Sequence, residues 1–300
     1  LLERLRERAE WREDPRPAFD ALSALFRDAG KRLANRPKDV VQHDLVEPVL
    51  AALGFTAEAV PVPKSAAHLP DYRLYADDRK AEPVALLLSY PWDRSLDGKD
   101  DHRDRDSPDD NPGARVVSVL EKGEAPWVVV TNGKLWRLYA RQAHSRATNY
   151  YELDAEEILT PAAMPADELG DAFRYFWLLF RAAAFVPREL TREGRVERLS
   201  FLDEALRDSQ DFARKLGDRL KERVFEDVFL LLARGFIKGE PSAKDLGAVH
   251  QATLTFLYRL LFLFYAEARD LLPVREGKRG FFEVSLTRLK REIAEAGGTL

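Results

Sequence analysis

The sequence has no cysteine among its 300 residues, which excludes disulfides and cysteine-based zinc sites. This absence fits a protein of the reducing cytosol. The longest apolar run, residues 256–266, carries Arg259 and is shorter than the roughly 20 residues needed to cross a bilayer. We therefore predict a buried core helix there, no membrane contact and a cytoplasmic location. Charged residues begin at position 3, so no signal peptide is expected, and the missing initiator Met predicts that the chain is a fragment.

The sequence also lacks a strong excess of charge of one sign, because 51 acidic side chains face 47 basic ones and the net charge is −4. This balance argues against a polybasic nucleic-acid binder, although it leaves room for a local basic groove. Glycine-rich phosphate-binding motifs, a GxSxG motif and zinc-type histidine pairs are missing as well. Nucleotide-phosphate cradles and zinc hydrolases are therefore disfavoured.

Hydrophobic periodicity predicts three regions: N-terminal helices over 1–34, an α/β domain over 35–187 and a helical region over 188–300. A helix over 39–53 ends at Gly54, and Pro48 predicts a kink in it or a start of regular helix nearby. Between 55 and 159 short β-type runs dominate, with Asn132-Gly133 as a hairpin turn and a crossover helix over 115–122. Later helices are predicted over 197–207, 209–235, 245–271 and 285–296.

A Pro-Asp pair at a strand entrance is the first candidate for chemistry. Pro70-Asp71 opens one predicted strand, and the next predicted strand runs over 84–90. This order resembles the PD-(D/E)XK nucleases, in which Pro-Asp on one strand and Glu-x-Lys on the next hold Mg²⁺ beside the attacking water. Leu88 and Tyr90 stand where the Glu and the Lys would be. Leucine cannot bind a metal, and a tyrosine with a pKa of about 10 is a poor substitute for the lysine.

A magnesium site needs more than Asp71, because the ion requires several clustered oxygen ligands. Glu47 on the preceding helix is the candidate for a second carboxylate, although a solvated helix-face charge is the commoner role for such a residue. A turn or cap role is the commoner one for an Asp after a Pro. The sequence therefore predicts a degenerate metal site, with Asp71 as a remnant acid.

Basic residues follow the predicted hairpin turn and alternate with aromatic ones. Such a pattern can hold the phosphates of nucleic acid, and a solvated sheet face explains it about equally well. The candidate DNA-contacting residues are Lys134, Arg137, Arg141 and Arg146.

Several segments together resemble one group of proteins. They are Leu53-Gly54-Phe55, Pro70-Asp71-Tyr72, Pro91-Trp92-Asp93-Arg94, and residues 127–139 (WVVVTNGKLWRLY), 145–152 (SRATNYYE), 173–180 (FRYFWLLF) and 256–273 (FLYRLLFLFYAEARDLLP). The group comprises type IIG-like restriction–modification proteins and related adenine-specific DNA methyltransferases of bacterial anti-phage systems such as DISARM. The resemblance extends over nearly the whole chain.

This resemblance implies a fold of the α/β (α+β) class: a PD-(D/E)XK restriction-endonuclease-like domain with a central mixed sheet, followed by an all-α connector. It also implies a methyltransferase domain after the connector, which binds S-adenosylmethionine through motifs including Asn-Pro-Pro-Tyr; that motif is absent from these residues. The implied partners are double-stranded DNA and other defence-system subunits, with Mg²⁺ as cofactor only if the nuclease is active.

We therefore expect a nuclease-inactive region that contacts DNA or partner subunits. Two alternatives stay open at this point. One is an active Mg²⁺-dependent DNA endonuclease domain, and the other is a protein-interaction scaffold that does not bind DNA.

Overall fold

The computed structural model describes residues 2–61, 69–78, 82–98, 100, 111–143, 145–159, 170–192, 194–237, 243–269, 271–274 and 280–296. The chain divides into two units, Leu1–Asp211 and Phe212–Leu300. Their boundary falls inside one long helix, Phe201–Arg223. The sequence predicted domain limits after residues 34 and 187. The division into two units does not test these limits, which stay predictions.

Helices of the first unit surround a sheet. They are α1 Leu2–Leu5, α2 Arg16–Phe26, α3 Ala29–Leu33, α4 Lys38–Val41, α5 Glu47–Ala52, α6 Pro112–Lys122, α7 Ala155–Leu159, α8 Asp171–Phe180 and the first part of α9 Phe201–Arg223, with 3-10 turns at Ala9–Arg12 and Ala182–Phe185. The predicted N-terminal helices are confirmed, and the aromatic segment 173–180 lies in α8.

Pro48 shapes the helix predicted over 39–53. Its nitrogen carries no hydrogen and its ring excludes the carbonyl one turn back. The backbone accordingly widens into a π turn at Gln42–Val46, between α4 and α5. Gly54 ends α5 as predicted, with a φ of 87° that suits glycine. The following Phe55 N–H donates to Leu50 O at 2.9 Å, which closes the helix end.

Six strands form a mixed sheet in chain order: β1 Thr56–Ala59, β2 Tyr72–Tyr75, β3 Ala85–Ser89, β4 Trp127–Thr131, β5 Leu135–Ala140 and β6 Tyr150–Asp154. Neighbouring strands are antiparallel except β3 and β4, which are parallel and joined through α6. The predicted crossover helix and the Asn132-Gly133 hairpin are confirmed. The mixed α/β class is confirmed too, while β1 was not predicted.

Both faces of the central strands are buried, which explains why β3 and β4 read as continuous apolar runs. Leu87 and Val129 face a core built with α2, α5 and α8. Their neighbours Leu86, Leu88 and Val128 face a second, smaller core built with α6.

The all-α prediction for residues 188–300 is wrong at its start. Strands β7 Arg188–Arg192 and β8 Arg195–Leu199 form an antiparallel hairpin in the first unit. The helix predicted to begin at 197 begins instead at Phe201, because Ser200 caps it. Ser200 Oγ accepts from Asp203 N at 3.1 Å, and Asp203 Oδ2 accepts from Ser200 N at 2.9 Å. This reciprocal capping box fixes the helix start.

The described residues of the second unit are helical. They form the rest of α9, a π turn Val224–Phe229, α10 Leu230–Phe236, α11 Ala243–Ala268, a 3-10 turn Phe281–Val284 and α12 Leu286–Glu295. Glu267 of α11 accepts hydrogen bonds from the first amides of α12, Leu286 N and Thr287 N, both at 2.8 Å. The helices predicted over 245–271 and 285–296 are confirmed to within a few residues. The break predicted between 207 and 209 is wrong, because α9 is continuous from Phe201 to Arg223.

The burial predicted for α11 is wrong. Phe262 is 66% exposed and Tyr258 is 63% exposed. Over Asp245–Ala268 the helix is long and apolar enough to cross a membrane by composition, and 11% of its most apolar window is buried. A single helix of this kind, with Arg259 near its middle, is weak evidence for membrane insertion.

Candidate functional site: a buried carboxylate beside strand β3

Asp71 lies at the entrance of β2 and is 7% exposed. Its own amide donates to Leu87 O of β3 at 2.8 Å, and its carbonyl accepts from Val60 N at 2.9 Å. The backbone therefore anchors Asp71 between the ends of β1 and β3. The sequence predicted this strand entrance correctly, including the position of β3 next to it.

Hydrogen-bond donors surround the Asp71 carboxylate. Oδ2 accepts from Ser89 N at 2.7 Å and from Ser89 Oγ at 3.2 Å. Oδ1 accepts from Lys38 Nζ at 2.6 Å, and the Arg115 guanidinium lies 3.8 Å from the same oxygen. A buried carboxylate is stable when charges and donors compensate it in this way.

Four residues of this cluster were missed by the sequence reasoning: Lys38, Gln42, Ser89 and Arg115. Gln42 Nε2 donates to Ser89 Oγ at 2.8 Å, so the π turn reaches the end of β3, while α4 reaches Asp71 through Lys38. Lys38 and Gln42 are four residues apart, which puts them on one side of a helix. That spacing, and a serine ending the apolar run of β3, were the available signals.

Glu47 occupies a different setting from the one predicted for a second metal ligand. Its Oε1 accepts from the Tyr72 hydroxyl at 2.7 Å, and its Oε2 lies 3.4 Å from His43 Nδ1. Burial of Tyr72, together with its hydrogen bond to Glu47, raises the pKa of this phenol. The neutral hydroxyl therefore stays a donor to Glu47.

These residues do not fit Mg²⁺. The ion needs clustered oxygen acceptors, whereas Asp71 meets an ammonium, a backbone amide and a guanidinium. The Lys38 ammonium, 2.6 Å from Oδ1, already supplies the positive charge that a metal ion would bring. Among the described residues, no group of three or more His, Asp or Glu side chains is placed to hold a metal ion.

Leu88 and Tyr90, the positions assigned to the missing Glu and Lys, belong to the apolar core under α6. Leu88 is fully buried there. Tyr90 is buried as well; its hydroxyl lies 3.4 Å from Arg115 Nη1, and Arg94 stacks over its ring at 4.8 Å. Ser89, between them, is the β3 side chain that hydrogen-bonds Asp71.

Arg137 fits neither interpretation of the hairpin, because its side chain lies neither on a solvated sheet face nor in a position open to DNA. It is 3% exposed, and its Nε donates to Glu152 Oε2 at 2.5 Å. Asp97 Oδ1 and Leu96 O each lie 2.9 Å from its other nitrogens, and Tyr150 stacks at 4.5 Å. Burial is the largest single influence and opposes the charge, but the bond to Glu152 and the nearby Glu152, Tyr139 and Tyr150 side chains together outweigh it and raise the pKa of Arg137. Its guanidinium is committed to internal partners.

The other predicted DNA-contacting residues are more accessible, but each has a local partner. Lys134 Nζ lies 3.1 Å from Glu156 Oε2. Arg141 Nη1 donates to Gly123 O, and Arg146 Nε donates to Arg141 O, both at 3.1 Å. Arg146 thus lies against the main chain of Arg141, whereas the buried Arg137 takes no part in an open basic surface.

Comparison with protein-family models, with curated proteins and with solved structures gives no match to this chain. The geometry of the site therefore carries the functional argument.

Proposed function

We propose that this chain is the nuclease-like and connector region of a bacterial restriction–modification or anti-phage adenine methyltransferase. In this proposal the first unit has a PD-(D/E)XK-type scaffold, works in the cytoplasm and contacts double-stranded DNA or partner subunits without cutting DNA. Methylation, with S-adenosylmethionine as cofactor, belongs to a methyltransferase domain that these residues do not contain.

The placement of Asp71 supports the nuclease-like scaffold. A Pro-Asp at the start of β2 beside β3 is the arrangement that the nuclease resemblance implies. Two of the resembling segments are also regular elements of this unit: residues 127–139 form the β4–β5 hairpin, and residues 173–180 lie in α8.

The proposal that this unit does not cut DNA rests on one observation: the Lys38 ammonium donates to Asp71 Oδ1. A cation binding here would have to displace that ammonium, and, among the described residues, Asp71 would then be the one carboxylate at this position to hold it. Both requirements weaken metal binding, because Mg²⁺ keeps its water shell unless several oxygens replace it.

A plasmid assay tests the proposal. Supercoiled DNA is incubated with the wild-type chain in Mg²⁺ or Mn²⁺, beside Asp71→Ala and Lys38→Ala, and nicked product is measured over time. All three proteins should leave the plasmid intact. Nicking by the wild type that disappears in Asp71→Ala would establish an active endonuclease instead, while nicking that persists in Asp71→Ala marks a contaminating nuclease.

A protein-interaction scaffold is the second candidate, favoured by the exposed apolar side chains of α11, such as Phe262 and Tyr258. Large exposed apolar patches commonly mark surfaces that contact another protein. The two candidates differ in DNA binding. A scaffold shows no salt-dependent affinity for duplex DNA, whereas a DNA-contacting region loses affinity steeply as salt rises.

A further inference from the structure

A short basic segment precedes the helix that carries Lys38. Residues 27–36, here called the basic segment, hold four basic side chains and one carboxylate. The four are Arg27, Lys31, Arg32 and Arg36, and all are exposed. In a chain with a net charge of −4, this is a local reversal of sign.

The segment has a fixed shape. Ala29 and Leu33, one helical turn apart, are buried in the main core, so the opposite side of α3 faces solvent. Asn35 adopts a left-handed conformation with φ 58°, and its amide donates to Asp93 Oδ2 at 2.6 Å. Such a surface is organised before a ligand arrives, which lowers the entropy lost on binding.

The segment lies at the same end of the sheet as Asp71. Asp93, which holds Asn35, follows the carboxyl end of β3. Gly30 packs so closely that a methyl group there would come within 2.6 Å of Glu156 Oε1. Two residues after Arg36, Lys38 reaches the Asp71 carboxylate. The positive charges therefore border the nuclease-like site.

Nearby carboxylates neutralise little of this charge. Asp93 accepts from the backbone of Asn35, and Glu156 lies 3.1 Å from Lys134 Nζ. Asp28 pairs with Lys31 at 3.5 Å, but both side chains are largely exposed, and such pairs contribute little. Arg27 and Arg36 form no ion pair within the described part of the chain.

We infer that the basic segment binds the phosphate backbone of duplex DNA next to the Asp71 site. Exposed arginines on a rigid turn position a duplex through its phosphates without reading its sequence. This inference rests on the proposed function, since it names the surface through which the nuclease-like unit contacts DNA.

The test is the salt dependence of binding to a fluorescently labelled duplex, measured by anisotropy. The variant is Arg27→Ser/Arg36→Ser. The matched control is Arg195→Ser/Arg198→Ser on β8, which removes two exposed arginines without an ion pair in the described structure. Circular dichroism checks that each variant is folded.

Loss of two phosphate contacts should weaken binding by tenfold or more near 0.1 M salt and reduce the slope of log affinity against log salt by about 2. The control should bind like the wild type. If the wild type binds DNA and the segment variant binds equally well, the segment is not the contact, although the proposed function stands. If the wild type does not bind DNA at any salt concentration, the inference and DNA contact both fail.

Discussion

Replacement of Asp71 by alanine should destabilise the first unit, because its carboxylate compensates buried donors. The variant leaves the amide of fully buried Ser89 without an acceptor, which costs about 1–3 kcal/mol. Breaking a fully buried ion pair costs about 3–5 kcal/mol. The Lys38 side chain is 34% exposed, so water recovers part of that loss. We expect a net loss of about 3 kcal/mol for Asp71→Ala.

Urea unfolding followed by tryptophan fluorescence measures this loss in the first unit alone, since all five tryptophans lie within Leu1–Asp211. A loss of about 3 kcal/mol lowers the midpoint by about 1 M urea for a unit of this size. Asp20→Ala, which removes an exposed carboxylate from α2, is the control and should change stability by less than about 0.5 kcal/mol.

The opposite result has a clear meaning. Residues kept for metal-dependent catalysis often lower stability in the metal-free protein, so their removal is neutral or stabilising. A stable Asp71→Ala variant would refute the compensation argument. If Mg²⁺ stabilises the wild type but not Asp71→Ala, the Asp71 site does bind the metal.

Buried contacts elsewhere in the first unit carry three more predictions. Gly133→Ala should lose about 1–3 kcal/mol in urea unfolding, because φ is 88° and the new methyl lies 3.1 Å from core side chains; Gly98→Ala, with open space around it, should lose less. Arg137→Met should lose about 2–4 kcal/mol, and adding Glu152→Gln should restore part of it. Burial opposes the ionisation of Glu204, but bonds from two arginines hold its pKa below the ordinary 4.5. The ionised Glu204 carboxylate therefore makes its full contribution to the free energy of unfolding above about pH 4.5, and this contribution is lost as the pH falls through the lowered pKa. Glu204→Gln should accordingly weaken the dependence of stability on pH in the acid range.

Local signals predicted much of the fold. Asn132-Gly133 specified a hairpin, in which Gly133 takes the positive φ and Asn132 Oδ1 accepts from Lys134 N and Leu135 N. Gly54 specified a helix end, because it too takes a positive φ. The apolar runs of β3 and β4 required burial on two faces, and a crossover helix between them followed. Strands β1, β7 and β8 were missed. TAEA and RELTR have little apolar alternation, and the end of β8 was assigned to the helix predicted from 197.

The candidate site was predictable only in part. Asp71 was visible as a motif, but its partners come from distant segments: Lys38 lies 33 residues earlier and Arg115 lies far later in the chain. Arg137 illustrates the same limit. The alternation of Arg137 with aromatic residues does not show whether its side chain is buried or exposed on β5. Its burial depends on the contacts with Glu152 and Tyr150 of the neighbouring strand.

The parallel pairing of β3 with β4, here called the seam, divides the six-stranded sheet into two halves. Strands β1–β3 and β4–β6 are two antiparallel meanders, each built from pairings between consecutive strands. Among the described strands, the β3–β4 pairing joins the two. Contacts within a meander close short loops, whereas the seam must close over the whole crossover, so it should form late in folding. Until then each half exposes an edge strand whose apolar side chains face both ways, which is a template for aggregation. The two halves are thus obligate partners, and each protects the most vulnerable edge of the other.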